Sequence, residues 1–130
     1  MKIQVAVACD FAVEYQHKLC IIGTFETIEA LQFPVVKSHC SIALQILWSK
    51  AEEGTHSIKV KFMDEDGVPT LKAVDSSINV SVPAGHFLIV SNHILNIQQL
   101  KFAGAGSYLV VIDVDGKMET EIPLQVLHTK

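Results

Sequence analysis

The pair Asp115-Gly116 stands between two runs of alternating residues near the C-terminus. Before it, Tyr108, Val110, Ile112 and Val114 alternate with Leu109, Val111 and Asp113. After it, Met118, Thr120, Ile122, Leu124 and Val126 alternate with Glu119 and Glu121. A two-residue type I′ turn needs positive φ at both central positions, which Asp-Gly tolerates, so the stretch predicts a β-hairpin. A slip of one residue would turn every side chain to the other face, so the alternation also fixes the register and the buried set.

The rest of the chain repeats this theme. Residues 2–9 alternate, with Ile3, Val5, Val7 and Cys9 on one face. Asp10 to His17 is open between a turn with a short helix and an irregular crossing. Lys18 to Phe25 is a second strand, in which Gly23 marks a bulge or a close backbone approach. Glu26 to Leu31 suits one helical turn before Phe33-Pro34, where proline ends any helix. In His39 to Trp48, Cys40, Ile42, Leu44, Ile46 and Trp48 share a face opposite Ser41, Ala43, Gln45 and Leu47. His56, Ile58, Val60 and Phe62 alternate up to the acidic turn Asp64-Glu65-Asp66-Gly67. Ile78, Val80 and Val82 follow, and then Pro83-Ala84-Gly85. From Phe87 to Phe102 the apolar phase slips, either through a bulge near Gln98-Gln99 or because Ser91 to Ile97 is a loop. About eight or nine short strands, with no helix beyond two turns, predict an all-β chain folded as an antiparallel β-sandwich in a single domain over residues 1–130.

Composition narrows the function classes. Hydrophobic residues make up 49% and charged residues only 18% of the 130 residues, and the net charge is −4. A charged share below the usual quarter asks for extra buried surface, such as a subunit interface. All ten basic residues are lysine. Without arginine there is no bidentate reader of guanine or phosphate, so no nucleic-acid partner is expected. Cys9, Cys20 and Cys40 are odd in number and flanked by apolar residues, which reads as buried free thiols in a reducing cytoplasm. No run approaches the roughly 18 apolar residues of a membrane span, so no membrane partner is expected either.

Gly106-Ser107-Tyr108 has the spacing of a tyrosine corner before the penultimate strand of an immunoglobulin-like sandwich, in which the phenol bonds back to the chain. The alternative is a plain core-edge aromatic. Trp48 lies on an earlier strand, and Val110 stands where antibody domains place a cysteine. Cys9-Asp10, Lys18-Leu19, Ile22-Gly23-x-Phe25, Phe33-Pro34, Gly54-x-His56, Asp64-x-Asp66-Gly67, Gly106-x-Tyr108 and Val114-Asp115-Gly116 follow in order along the chain. This order resembles a family of small bacterial β-rich domains of unknown function. The resemblance implies a stand-alone bacterial domain and carries over no functional residues.

Candidate chemistry is sparse. Asp64, Glu65, Asp66, Asp113 and Asp115 could offer oxygens to calcium, but Asp-x-Asp-Gly is also an ordinary turn. The cysteines and His39, His56, His86 and His93 lack the close pairs of a zinc site. No nucleophile motif or glycine-rich phosphate loop is present. The expectation is a non-catalytic binding or assembly module with no cofactor, pairing with itself or another protein. The alternative is a small-molecule or calcium-binding domain, conceivably an enzyme. Tyr108, Gly106, Trp48, Asp115 and Gly116 are expected to be structural. Leu109, Val111, Ala43 and Leu47 lie on the face that should be polar. If immunoglobulin-like order held, their two strands would be neighbours and the four residues one patch. That patch would be covered by Asp10 to His17 or Ser91 to Ile97, or by a second subunit, and the subunit is the favoured cover.

Overall fold

Nine strands build the molecule in a computed structural model, which describes residues 1–129; the final residue of the expected 1–130 domain lies outside the described residues. In chain order they are β1 (Lys2–Tyr15), β2 (Lys18–Thr24), β3 (Thr27–Ala30), β4 (Val35–Ser49), β5 (Gly54–Asp64), β6 (Pro69–Val80), β7 (Leu88–Phe102), β8 (Gly106–Val114) and β9 (Lys117–His128). A single 3₁₀ turn, Lys50–Glu52, joins β4 to β5. Two sheets pack face to face, ordered β2-β1-β4-β7 and β3-β9-β8-β5-β6. All neighbours are antiparallel except β3 and β9.

The alternation read from the sequence becomes the core. Cys40, Ile42, Leu44, Ile46 and Trp48 from β4 meet Ile58, Val60 and Phe62 from β5, Val110, Ile112 and Val114 from β8, and Ile122, Leu124 and Val126 from β9. The hairpin turn has φ of +53° at Asp115 and +80° at Gly116, as a type I′ turn requires. The Tyr108 hydroxyl donates to the Gly104 carbonyl at 2.7 Å and so ties the start of β8 to the loop before it. Gly106 opens β8. Trp48 is fully buried, and its indole N–H donates to Ser91 Oγ at 2.8 Å.

Three sequence expectations change, and of the two readings of the β7 phase slip the one that placed it near Gln98-Gln99 holds and the loop does not. Asp10 to His17 is neither helix nor irregular crossing: β1 runs through to Tyr15 and turns into β2 at Gln16 and His17, both at positive φ. Glu26 to Leu31 holds β3 rather than a helical turn, because Thr27–Ala30 pair in parallel with Gln125–His128 of β9. Ser91 to Ile97 is not a loop but the middle of β7. The phase slip in β7 falls at Gln99, whose φ is +58°. Lys37 stays opposite Leu100 and His39 opposite Gln98, so β4 slips at the same level and the pairing continues without offset. Finally, β4 and β8 lie in different sheets. Leu109 and Val111 therefore sit on one outside of the sandwich, Ala43 and Leu47 on the other, and the four cannot form one patch.

Candidate functional site

The outer face of the four-stranded sheet carries a feature that the sequence concealed. Cys9, Ala12 and Ala43 form a second buried cluster, with Val7, Leu19, Ile21 and Ile94 packed against it. Val7 and Cys9 are two apart on one face of β1, but Ala12 reaches the same cluster from an even position. The strand must therefore change parity between them. It does so at Asp10, where the facing residue of β2 is Gly23 at φ +71°. A Cβ at Gly23 would lie 2.8 Å from Asp10 Oδ2 and at a strained dihedral, so glycine is favoured there and any other residue must displace the Asp10 side chain. Beyond this point the β1–β2 hairpin folds over the outside of β4 and β7. Ala43, at 0% exposure, is covered by this chain's own hairpin and not by a subunit.

A polar relay fixes the tip of the hairpin. Gln4 Nε2 donates to Gln45 Oε1 at 2.7 Å, and Gln45 Nε2 donates to Asn92 Oδ1 at 3.1 Å. Asn92 Nδ2 in turn donates to Glu14 Oε2 at 2.8 Å and to the His17 carbonyl at 3.1 Å. With Ala12, Leu19 and Ile21 turned inward, the other side of the ribbon faces water. Cross-strand pairing places Phe11 beside Ile22, Val13 beside Cys20 and Tyr15 beside Lys18 on that side. Phe11 is 49% exposed, Val13 41%, Tyr15 63% and Ile22 65%. Cys20 is exposed too, so the expectation of three buried thiols holds only for Cys9 and Cys40. Burial raises the pKa of both of those thiols, which keeps them protonated.

The other expected positions serve the frame. Val111 is buried on the outer face of β8, flanked in register by Lys61 and Glu121, whose aliphatic stems can cover it while the charges stay wet. Leu109 and Leu47 are half-buried. Of the five acids that could have offered calcium ligands, Asp64, Asp113 and Asp115 are engaged within the fold, while Glu65 and Asp66 are exposed. Asp64 Oδ1 accepts the amides of Asp66 and Val68, each at 2.9 Å, which forms the β5–β6 turn. Asp113 pairs with Lys61 at 2.9 Å. Asp115 Oδ1 accepts the Ser57 amide at 2.9 Å and Oδ2 accepts from His56 Nδ1 at 2.6 Å.

His56 and Asp115 resemble the base and orienting acid of a catalytic pair, but the second ring nitrogen is also occupied. His56 Nε2 lies 2.5 Å from the Glu52 carbonyl, so both nitrogens face acceptors and the ring is held as a double donor. The Asp115 hydrogen bond, then the Glu52 carbonyl, raise the His56 pKa, and the reciprocal bond lowers that of Asp115. Trp48 closes one side of the ring at 4.4 Å between centroids. With both ring nitrogens engaged and the raised pKa favouring the protonated ring, the arrangement works as a clamp between the β8–β9 turn and the start of β5. Sequence reading missed it because residue 56 and residue 115 meet only through the register of β5 on β8.

Among the described residues, no helix is long and apolar enough to cross a membrane. No curated protein and no solved structure matches the chain. Residues 4–127 match one family model along nearly the full length, and the chain belongs to that family, a family of unknown function named DUF6941.

Proposed function

We propose that this chain is a non-catalytic assembly module of the bacterial cytoplasm that associates with itself through the outward face of the β1–β2 hairpin. The observation that carries the reading is the row Phe11, Ile22, Val13 and Tyr15, side by side on one face of the ribbon and each about half exposed. An antiparallel ribbon with one buried face should be polar on the other. Four large apolar side chains left half in water forgo on the order of 3–6 kcal/mol of burial together. A second copy seated across a two-fold axis would bury the same row on both protomers, the simplest closed arrangement.

The assembly reading keeps the self-association expected from the low charge content and moves its surface away from Leu109, Val111, Ala43 and Leu47. It also accounts for the way the hairpin is held: the apolar cluster beneath it and the Gln4–Gln45–Asn92–Glu14 relay fix a presenting surface in place. The test is light scattering at high micromolar concentration. Wild type should have at least twice the monomer mass, and Tyr15→Glu with Ile22→Lys should be a folded monomer. A monomeric wild type would refute the reading.

A further inference from the structure

The four strands at the sheet margins are β2, β7, β3 and β6. Exposed margins invite pairing with other chains, and folded proteins blunt them with charges, proline, bulges or short length. Three of the four are blunted here. β2 carries Lys18 and the positive-φ Gly23, β3 has only four residues and includes Glu29, and β6 carries Pro69, Lys72 and Asp75. β7 is different. From Leu88 to Gln98 it reads LIVSNHILNIQ, eleven residues without an Asp, Glu, Lys, Arg or Pro. Its only irregular residue, Gln99, lies past that stretch. Among the described residues, the β7 backbone bonds only to β4, and no loop or side chain satisfies the opposite side.

A cleft of about 320 Å³ opens along the same margin, between β7 and β6. One wall is the consecutive stretch Asn92, His93, Ile94 and Leu95 of β7, the other Val74 and Ser76 of β6, and the core residues Ile42, Leu44, Ile58 and Val60 line its depth. No lining residue is a Lys, Arg, Asp or Glu. Burial, partly opposed by the charge of Glu14, lowers the pKa of His93 and so favours its neutral ring. A row of unpaired amides and carbonyls is matched by another extended backbone, and an uncharged apolar floor beside it is matched by an uncharged apolar side chain of that backbone.

We propose that the β7 margin is a strand-addition site for an extended, uncharged peptide segment of a partner protein. The peptide extends the four-stranded sheet beside β7, and its alternate apolar side chains enter the cleft toward β6. This is the strand-augmentation mode of peptide recognition, in which main-chain bonds supply affinity and the side pocket supplies selectivity. The site lies at the opposite margin of the sheet from β2 and shares no residue with the outward row Phe11, Val13, Tyr15 and Ile22 of the hairpin, whose tip rests on β7 through Asn92.

The test uses the full chain and a probe peptide of seven alternating valines and threonines, flanked by lysines for solubility. A second probe of the same sequence carries N-methyl groups at alternate amides, which removes one side of the hydrogen-bond ladder. Amide hydrogen exchange and backbone chemical shifts are followed during titration. The first probe should slow exchange between Val90 and Ile97 and shift the methyl signals of Val74 and Leu95. The N-methylated probe should bind at least tenfold more weakly. Ser76→Lys, which puts a charge on an exposed cleft wall, should weaken the first probe at least tenfold while the protein melts as before. Equal binding of both probes, shifts elsewhere on the surface, or no shift at millimolar peptide would overturn the proposal. So would β7 amides already protected in a free protein of dimeric mass, since that result gives the margin to a second copy.

Discussion

Gly23→Ala tests the joint on which the hairpin folds. At φ +71° an alanine costs about 1–2 kcal/mol relative to glycine. Its Cβ would also lie 2.8 Å from Asp10 Oδ2 and 3.2 Å from Asp10 Cβ, so Asp10 must move. Moving it breaks the bond from Lys37 Nζ to Asp10 Oδ1, now 2.8 Å. Both side chains are substantially exposed, so that pair contributes only about 0.2–1 kcal/mol. The sum is roughly 1.2–3 kcal/mol of lost stability, read as a lower urea midpoint at unchanged slope. Asp10→Gly removes the obstructing side chain. In that background Gly23→Ala should cost only the dihedral part, so the two substitutions should fall short of additivity by the lost pair, about 0.2–1 kcal/mol. Thiol labelling gives a local reading of the same event. Cys20 should react at once, Cys9 beneath the hairpin slowly, and Cys40 in the core slowest. Gly23→Ala should speed Cys9 more than Cys40, because it lifts the hairpin without opening the sandwich. A neutral Gly23→Ala, strict additivity with Asp10→Gly, or equal acceleration of both thiols would refute the account of the joint.

Two further outcomes follow from the frame. Tyr108→Phe removes the 2.7 Å bond to the Gly104 carbonyl and should lower stability by about 1 kcal/mol in chemical denaturation with the fold unchanged; an unchanged midpoint would mean that the bond contributes nothing. The His56–Asp115 clamp should shape the pH profile of melting. The raised His56 pKa gives stability that is full below its ordinary value of 6.5 and is lost as pH climbs through the higher folded value. The lowered Asp115 pKa gives stability present above its ordinary 3.8 and lost as pH falls through the lower folded value. Stability should hold between about pH 4 and 6.5 and then decline, and His56→Gln should abolish the alkaline decline; a profile identical in wild type and variant would remove the clamp.

What the sequence made legible were the features that local chemistry decides. Asp115-Gly116 dictates its turn, and alternation from Cys40 to Trp48 on β4, along β5 and β8, and from Ile122 to Val126 on β9 assigns their core faces; Met118 falls outside it, because a register shift near the turn leaves it exposed. The Gly-x-Tyr spacing placed Tyr108 at a chain crossing, where its hydroxyl finds Gly104. Features decided by neighbours far along the chain were hidden. β3 has only four residues and becomes a strand because β9 offers a margin to pair with. The outward position of Ala43 read as an anomaly that needed a subunit, because nothing local says that Ala12, Leu19 and Ile21 return to cover it. Cys20 looked buried because its neighbours are apolar, yet those neighbours alternate between the covered and open sides of a ribbon that is itself outside the sandwich.

The hidden part has one physical origin. Two pairs of facing residues, Asp10 with Gly23 and Ser38 with Gln99, each include one positive-φ residue and each reverse side-chain parity on both strands at once. Because both strands slip together, the pairing on either side keeps its register and the ladder continues. A reader who follows one strand sees only a broken alternation, which left Asp10 to His17 open between a short helix and an irregular crossing, and the slip in β7 open between a bulge near Gln98-Gln99 and a loop. Reversal on two strands together turns a ribbon over without cutting it. At Asp10 and Gly23 that turn lays the hairpin across β4 and β7, buries Ala43, and brings Phe11, Val13, Tyr15 and Ile22 to the surface. The apolar row proposed as the assembly surface is thus set by the joint at Gly23, and a chain unable to make that joint would lose the presenting surface before it lost the sandwich.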